Sequence, residues 1–576
     1  MTRASAFAVF VALGLLTWLP RTIGIDYLLP HQPEPDAQIV LQAREFRTGQ
    51  MELEFIRSTY PHLLARLLSL FPSAACEHPL EPAFLHCHLR AAAAPFLQAR
   101  HLCALLSALA VPLTYFLARR WLGVYGALLA SALLATSLLH VSLSQQARPH
   151  GPFATAVALC LLTALQLRED GRVRSYIAFG LALGVAIGTL HTAAFVVLLG
   201  PAALLLRNRS SERPTALRIA IPIALSAAAA LAFWPFLYEP SPEGEWREGE
   251  SYRFPHRVER NWFDAGGFAK NAQFLWDYDP LIAALVLVAL VAVLVQRRNI
   301  LRNPNTLLAM VFALPYVTLI GAFQKTFPRF LLPLLPCLVI AAAYPLDLWV
   351  SRLRGRAGWW VGALGAVAVL GFPAYVSGRL LWLHSQPDTL ENIATQIWQL
   401  PEVERLVIAA QTTVTLPIFV HQDLIARVQN RITLQHAPWL VYVDRCTPDN
   451  FRAPGPRLQT LQIDGRFPSY LLRNPEGVKT LQSWLAEQRA DLYLTETPPS
   501  PELMANFAQA MAPLSAYSEW HPTPTPWELA SVSDDYQDDK LLRRVLGRNV
   551  WGPVVGVFYS HRYAARDLPP LRLPAR

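Results

Sequence analysis

Charge is scarce in this chain: 16% of its 576 residues are Asp, Glu, Lys or Arg, while 53% are hydrophobic. So little polar surface cannot cover a water-soluble protein of that length, and the chain belongs to the membrane-integrated class. Cysteine is also sparse, with six in all, which excludes a disulfide-stapled scaffold. A P-loop, GxGxxG, GxSxG and HExxH are all missing, so soluble nucleotide chemistry has no support and neither do the common hydrolase motifs. Ionisable residues are all but absent from the middle of the apolar runs, which argues against a secondary transporter, because such proteins handle ions or protons at mid-depth. The net charge of +9 comes from arginines in short turns. They report topology, and no nucleic-acid-binding surface remains.

What is present is a succession of apolar runs, at about 5–20, 99–118, 123–140, 151–167, 176–190, 192–206, 217–233, 280–296, 304–322, 329–346 and 358–377. They predict about eleven transmembrane helices, several of them shorter than the roughly 20 residues a straight span needs. The 47 prolines suit broken helices and rigid boundary loops. Met1 to Pro20 has the look of a signal peptide, but no small-x-small cleavage site follows, which favours an uncleaved first span. The arginine-dense turns at Arg119-Arg120, Arg168–Arg174, Arg207–Arg213, Arg297–Arg302 and Arg352–Arg356 all fall on the same side of the bundle. By the positive-inside rule this predicts a multi-pass cytoplasmic (inner) membrane protein with its amino terminus cytoplasmic and its carboxyl terminus outside.

The expected organisation is a transmembrane domain over 1–380, with outer loops at about 22–95 and 234–279, followed by an extracytoplasmic α/β domain over 387–576. In the first loop, Asp36 to Phe46 and His62 to Phe71 have the spacing of short interfacial helices. The second holds Trp234, Trp246, Tyr252, Trp262 and Trp276, an aromatic density that fits headgroup anchoring or sugar stacking. After Pro387, strand-like runs occur at Arg405–Ala409, Trp439–Val443, Asp491–Leu494 and Val554–Tyr559, with helix candidates at about 478–489 and 501–511.

The outer segments hold the candidate chemistry. In His31-Gln-Pro-Glu34-Pro-Asp36, two carboxylates lie just past a membrane span. A carboxylate there can deprotonate a hydroxyl or amine nucleophile, and an acid-x-acid pair can bind a divalent cation such as Mg or Mn through oxygen. An ordinary solvated loop acid is the plainer reading. Arg148, His150, Lys325 and Arg329 each adjoin an apolar span, where they could gather around an anionic headgroup or snorkel to lipid phosphate. Cys76 and Cys87, with His78, His86 and His88 nearby, do not match zinc spacings; a disulfide and two free thiols stay open. Cys103, Cys160 and Cys337 fall in or near apolar runs and read as packing.

Four stretches together resemble a known family: Pro35-Asp36 continuing through Tyr60-Pro61-His62-Leu63; Leu139-His140 through Arg148-Pro149; Gly184 through Gly188 to His191; and Phe327-Pro-Arg329-Phe330 through Pro333 and Pro336. Pro387-Asp388-Thr389 resembles the start of that family's outer domain. The family is the polyprenyl-phosphate-sugar-dependent membrane glycosyltransferases of the type C fold, which include protein O-mannosyltransferases and aminoarabinose transferases. The resemblance implies a type C (GT-C) fold and transfer of a sugar from a polyprenyl-phosphate donor to a lipid, glycan or protein acceptor at the outer face of the cytoplasmic membrane. It implies Asp36 as the catalytic base, with Arg148 and Arg329, and more weakly Lys325, holding the donor phosphate. His150 would line the site. The chain departs from the family at Ala37, where an acid often follows Asp36, and at His150, where an Asp is frequent. A catalytically silent scaffold for envelope polysaccharide assembly and a polyprenyl-lipid flippase are the alternative readings.

Overall fold

A computed structural model describes residues 2–29, 38–48, 60–71, 85–208, 212, 214–234, 266–295, 303–323, 326–353 and 355–388. Beyond these it describes 407–411, 457–461, 483, 492–496, 517–520, 541–547, 551 and 555–560. The chain is a polytopic helical membrane protein. Its helices in order are α1 (Arg3–Arg21), α2 (Gln38–Thr48), α3 (Leu63–Ser69), α4 (Leu85–Ala108), α5 (Ala110–Ala118), α6 (Val124–Thr136), α7 (Leu138–Ser144), α8 (His150–Asp170) and α9 (Val173–Thr189). A 3-10 turn (His191–Leu198) leads into α10 (Leu199–Leu205), then α11 (Ala216–Phe233), α12 (Gly267–Tyr278), α13 (Pro280–Val295) and α14 (Pro304–Gly321). A second 3-10 turn (Pro328–Leu334) opens α15 (Leu335–Arg352), and α16 (Gly355–His384) closes the bundle.

Seven spans are long and apolar enough to cross a membrane, or eight if α6 and α7, bent by 53°, count as one; three shorter apolar helices occupy 173–189, 191–205 and 280–295. The centre and the rim differ in burial. In α8, 78% of the apolar window is buried inside the protein, whereas in α11 none is, so α11 presents its side chains outward, as a helix in lipid does. Small residues set how α11 attaches. A Cβ on Gly180 would come within 2.8 Å of the Pro222 backbone, and one on Gly188 within 2.8 Å of Phe233 and 3.0 Å of Leu63. The two helices therefore approach along a small-xxx-small face.

Among the described residues, the arginine-rich turns meet at one end of this bundle. Arg120 pairs with Glu169 at 2.6 Å and Arg218 with Glu212 at 2.7 Å. The Trp121 indole donates to Thr306 (3.1 Å), and the backbone amides of Gly123 and Gly126 donate to the Asp347 carboxylate, each at 2.9 Å. Asp347 thus satisfies two orphan donors at the start of α6. At the other end lie the close of α1, the 145–149 turn, the top of α9 and the segment before α15. There two short helices form where the sequence spacing places them, α2 and α3: Arg47 donates to the Leu68 carbonyl at 2.8 Å, the Arg66 guanidinium lies 4.5 Å over the Phe46 ring, and the His62 amide donates to the Phe233 carbonyl at 2.9 Å.

Past the bundle, five strands are described: β1 (Val407–Gln411), β2 (Arg457–Leu461), β3 (Leu492–Glu496), β4 (Tyr517–Trp520) and, after helix α17 (Leu541–Gly547), β5 (Val555–Ser560). They form one mixed sheet in the order β2-β1-β3-β5-β4. β1 runs parallel to β2 and β3, with Ile408 opposite Leu492, and β5 runs antiparallel to β3 and β4, with Leu494 opposite Val557. Trp439–Val443 and, apart from residue 483, both helix candidates lie outside the described residues.

Candidate functional site

Buried polar groups concentrate at the end of the bundle opposite the arginine-rich turns. α1 stops at Arg21, whose side chain is 2% exposed. Its guanidinium donates to the carbonyls of Thr17 (2.8 Å) and Ala135 (3.2 Å), to Ser144 Oγ (3.0 Å) and to His140 Nδ1 (2.7 Å). A guanidinium can only donate, so His140 accepts at Nδ1 and carries its proton on Nε2. The chain then turns over residues 22–29, with positive φ at Gly24 (+60°) and Leu28 (+59°). Leucine is disfavoured there, and Asp388 holds it by accepting the Leu28 amide at 3.0 Å. Arg100, fully buried, donates to the Ile25 and Tyr27 carbonyls at 2.8 and 2.7 Å and lies 4.5 Å over the Tyr27 ring.

Beside this turn runs the 145–149 segment. Arg148 and His150 are buried, and the Arg148 amide donates to the Gln146 carbonyl at 2.8 Å. The His150 ring stands edge-on to Tyr60 (6.1 Å) and 6.0 Å from Phe330. Through that contact the turn carrying Arg148 packs against the segment carrying Arg329. Arg329 is also buried, and its guanidinium sits 4.3 Å over Phe327 and 5.5 Å from Phe330; the Phe330 carbonyl accepts the Tyr316 hydroxyl at 3.1 Å. Two sequence-predicted arginines are thus brought to one end of the bundle. A planar donor fork suits a phosphate, and the one on Arg329 is held between aromatic rings. His150 acts as packing between their two segments.

The bend between α6 and α7 aims this region. Asp279, between α12 and α13, accepts the Ser137 hydroxyl (2.6 Å) and the amides of Leu138 (2.8 Å) and Leu139 (3.3 Å). The two amides are donors that a helix start leaves without intrahelical partners. Burial pushes the Asp279 carboxyl up to about 6, against the lowering pull of those three hydrogen bonds.

Glu34, Asp36, Lys325 and Cys76 lie outside the described residues, and Cys87 is described by backbone alone. Among the described residues no three His, Cys, Asp or Glu side chains gather to hold a metal ion. Cys103 is buried, Cys160 is a buried free thiol and Cys337 a partly exposed one. Sequence reasoning did not single out Arg21, Arg100, Asp279 or His384 as members of this region. Their only local signal is a polar residue within about two turns of an apolar run's end.

The sequence comparison bears on the part of the chain that carries Arg148. Residues 78–238 match the dolichyl-phosphate-mannose-protein mannosyltransferase family. The chain resembles the polyprenyl-phosphate-sugar-dependent membrane glycosyltransferases of the type C fold, as its motifs indicated. The mannosyltransferase-family segment contains Arg100, His140, Arg148 and His150, while Asp279, Arg329 and His384 follow it. No curated protein sequence matches the chain. Among solved structures it is similar to ArnT from Cupriavidus metallidurans in the apo state, at 15% identity over 98% of this chain and 99% of that one, with a TM-score of 0.46. It is similar to the same protein bound to undecaprenyl phosphate, at 15% identity over the whole of both chains (100% and 100%; TM-score 0.46). A third is the oligosaccharyltransferase AglB from Archaeoglobus fulgidus in complex with an inhibitory peptide and a dolichol-phosphate, at 12% identity over 90% and 73% of the two chains (TM-score 0.42).

Proposed function

We propose that this protein is a membrane glycosyltransferase that moves a sugar from a polyprenyl-phosphate donor to a lipid, glycan or protein acceptor at the outer face of the cytoplasmic membrane. The observation that carries the reading is the burial of Arg148 and Arg329 in two segments joined through His150 and Phe330, at the end of the bundle away from the arginine-rich turns. The family match over residues 78–238 supports it.

In this reading all eleven apolar helices cross or enter the membrane in a type C arrangement. The amino terminus is cytoplasmic and residues 387–576 form an extracytoplasmic α/β domain. The donor enters laterally, its prenyl tail remaining in the bilayer. The acceptor's hydroxyl or amine attacks the anomeric carbon, Asp36 takes the proton, and the bond from the anomeric carbon to the phosphate oxygen breaks. The lipid leaves as a monophosphate, and Arg148 and Arg329, with a weaker contribution from Lys325, stabilise the charge that develops on it. Glu34 supports Asp36 by electrostatics or by sharing a divalent cation with it.

The test is sugar release from a panel of radiolabelled polyprenyl-phosphate sugars by protein in lipid, with membrane extract supplying acceptors. Wild type is expected to turn over one donor class, folded Asp36→Asn none, and Arg329→Ala much less. A scaffold or a flippase would release no sugar, and that result would overturn the enzyme reading.

A further inference from the structure

We infer that His384 is a positioning residue, the joint through which the C-terminal segment carrying Trp551 holds the Gln145–Arg148 turn in place. The inference rests on the donor-phosphate role proposed for Arg148. Three contacts surround the His384 ring. Tyr27 stacks on it, with centroids 3.8 Å apart and planes 13° from parallel, and Trp551 meets it edge-on at 4.7 Å. Its Nδ1 lies 2.9 Å from Gln145 Oε1.

The tautomer follows from the neighbours. The Gln145 amide nitrogen donates to the carbonyls of Arg21 (3.0 Å) and Ile23 (2.9 Å), so its oxygen must face the imidazole. His384 therefore carries its proton on Nδ1 and donates it to Gln145. That bond fixes the first residue of the turn whose fourth is Arg148. All of these groups sit out of water, where a lost partner is costly.

The other side of the joint reaches away from the bundle. Trp551 is 1% exposed and lies four residues before the interior strand β5. In the same segment α17 docks on α16, with the Arg379 guanidinium donating to the Val545 carbonyl at 2.6 Å. Leu541, Trp551 and His384 line a small crevice together with Ser142 and Gln146, which flank Gln145. The Trp551 Nε1 meets no hydrogen-bond partner among the described residues, so ring contact holds it, and a phenylalanine can take its place. From the sheet, the connection runs through Trp551, His384 and Gln145 to Arg148. Gly24 locks the near side: a Cβ there would overlap the His384 backbone.

The experiment is hydrogen exchange on the full chain in lipid nanodiscs, comparing wild type with Trp551→Ala, Trp551→Phe and His384→Ala, alongside binding of undecaprenyl phosphate as probe. The amides among 145–150, all but Pro149, are expected to exchange roughly tenfold faster in Trp551→Ala and His384→Ala and to stay near wild type in Trp551→Phe. Amides 119–126, at the far end, should not change. Probe affinity should fall several-fold in the first two variants and recover in the third. Unchanged exchange at 145–150 in Trp551→Ala overturns the joint, as does an equal rise at 119–126, which would report general loosening. A wild type that binds no undecaprenyl phosphate overturns the donor-site reading, while the exchange result still decides the joint.

Discussion

Replacing Asp279 by Asn should stabilise the protein at neutral pH and leave it nearly unchanged in acid. The carboxyl is buried and accepts three hydrogen bonds from the start of α7, yet burial still moves it from its ordinary 3.8 up to about 6. The folded protein therefore holds this proton more tightly than the unfolded chain does. Stability from the protonated form is fully present below about pH 4 and is lost progressively as pH rises through about 6. A displacement of that size is worth roughly 3 kcal/mol against the ionised state. Asn carries no charge, and its oxygen and amide can meet the Leu138 amide and the Ser137 hydroxyl. Thermal unfolding in detergent from pH 4 to 7.5 should show Asn gaining on wild type up to about pH 6 and then holding level. Asp279→Ala orphans up to three donors and should be destabilised by about 1–3 kcal/mol for each one left without water. A difference between Asn and wild type that does not vary with pH would refute the reasoning.

Other changes test separate parts of the structure. Asp347→Ala removes the acceptor for the Gly123 and Gly126 amides and should cost about 1 kcal/mol in unfolding experiments, as loss of a helix cap does. Gly180→Leu, whose Cβ alone would come within 2.8 Å of the Pro222 backbone, should separate α9 from α11 and lower the yield of folded protein, whereas substitutions at lipid-facing Leu217 should not. Arg148→Lys and Arg329→Lys keep the charge but lose the planar fork. Each is expected to lower donor turnover by at least about tenfold, with the melting temperature held near that of wild type. Equal turnover in both lysine variants would show that the forks do not grip the donor.

Much of this architecture was legible because lipid imposes simple rules. The apolar runs fall on helical segments, some of them broken or opened by a 3-10 turn, and the described arginine-rich turns lie at one end. In the sheet, the three expected strands that fall within the described residues are β1, β3 and β5, the three interior strands, each paired on both edges. β2 (Arg457-Leu-Gln-Thr-Leu461) and β4 (Tyr517-Ser-Glu-Trp520) were missed. They are the two outer strands of the described sheet, and their mixed polarity offers no apolar run to read. The bend at Ser137 was hidden inside the run 123–140, since both halves are apolar and the carboxylate that stabilises the break comes from Asp279. The stitching of the site failed to show for the same reason. Arg21 meets His140, Gln145 meets His384 and Ser137 meets Asp279 across separations of 119, 239 and 142 residues. No local pattern announces such pairs. Arg148 and Arg329 were found by type and position, and their joining through His150 and Phe330 needed the fold.

The measurement that tests the central claim most directly is the identity of the lipid left behind. Protein in lipid would be given a polyprenyl-phosphate sugar and membrane extract, and the prenyl species followed by mass spectrometry. The account predicts that polyprenyl monophosphate accumulates at the rate at which sugar reaches the acceptor, and that neither product forms with folded Asp36→Asn. Donor recovered intact, or monophosphate released equally by wild type and Asp36→Asn, would contradict it.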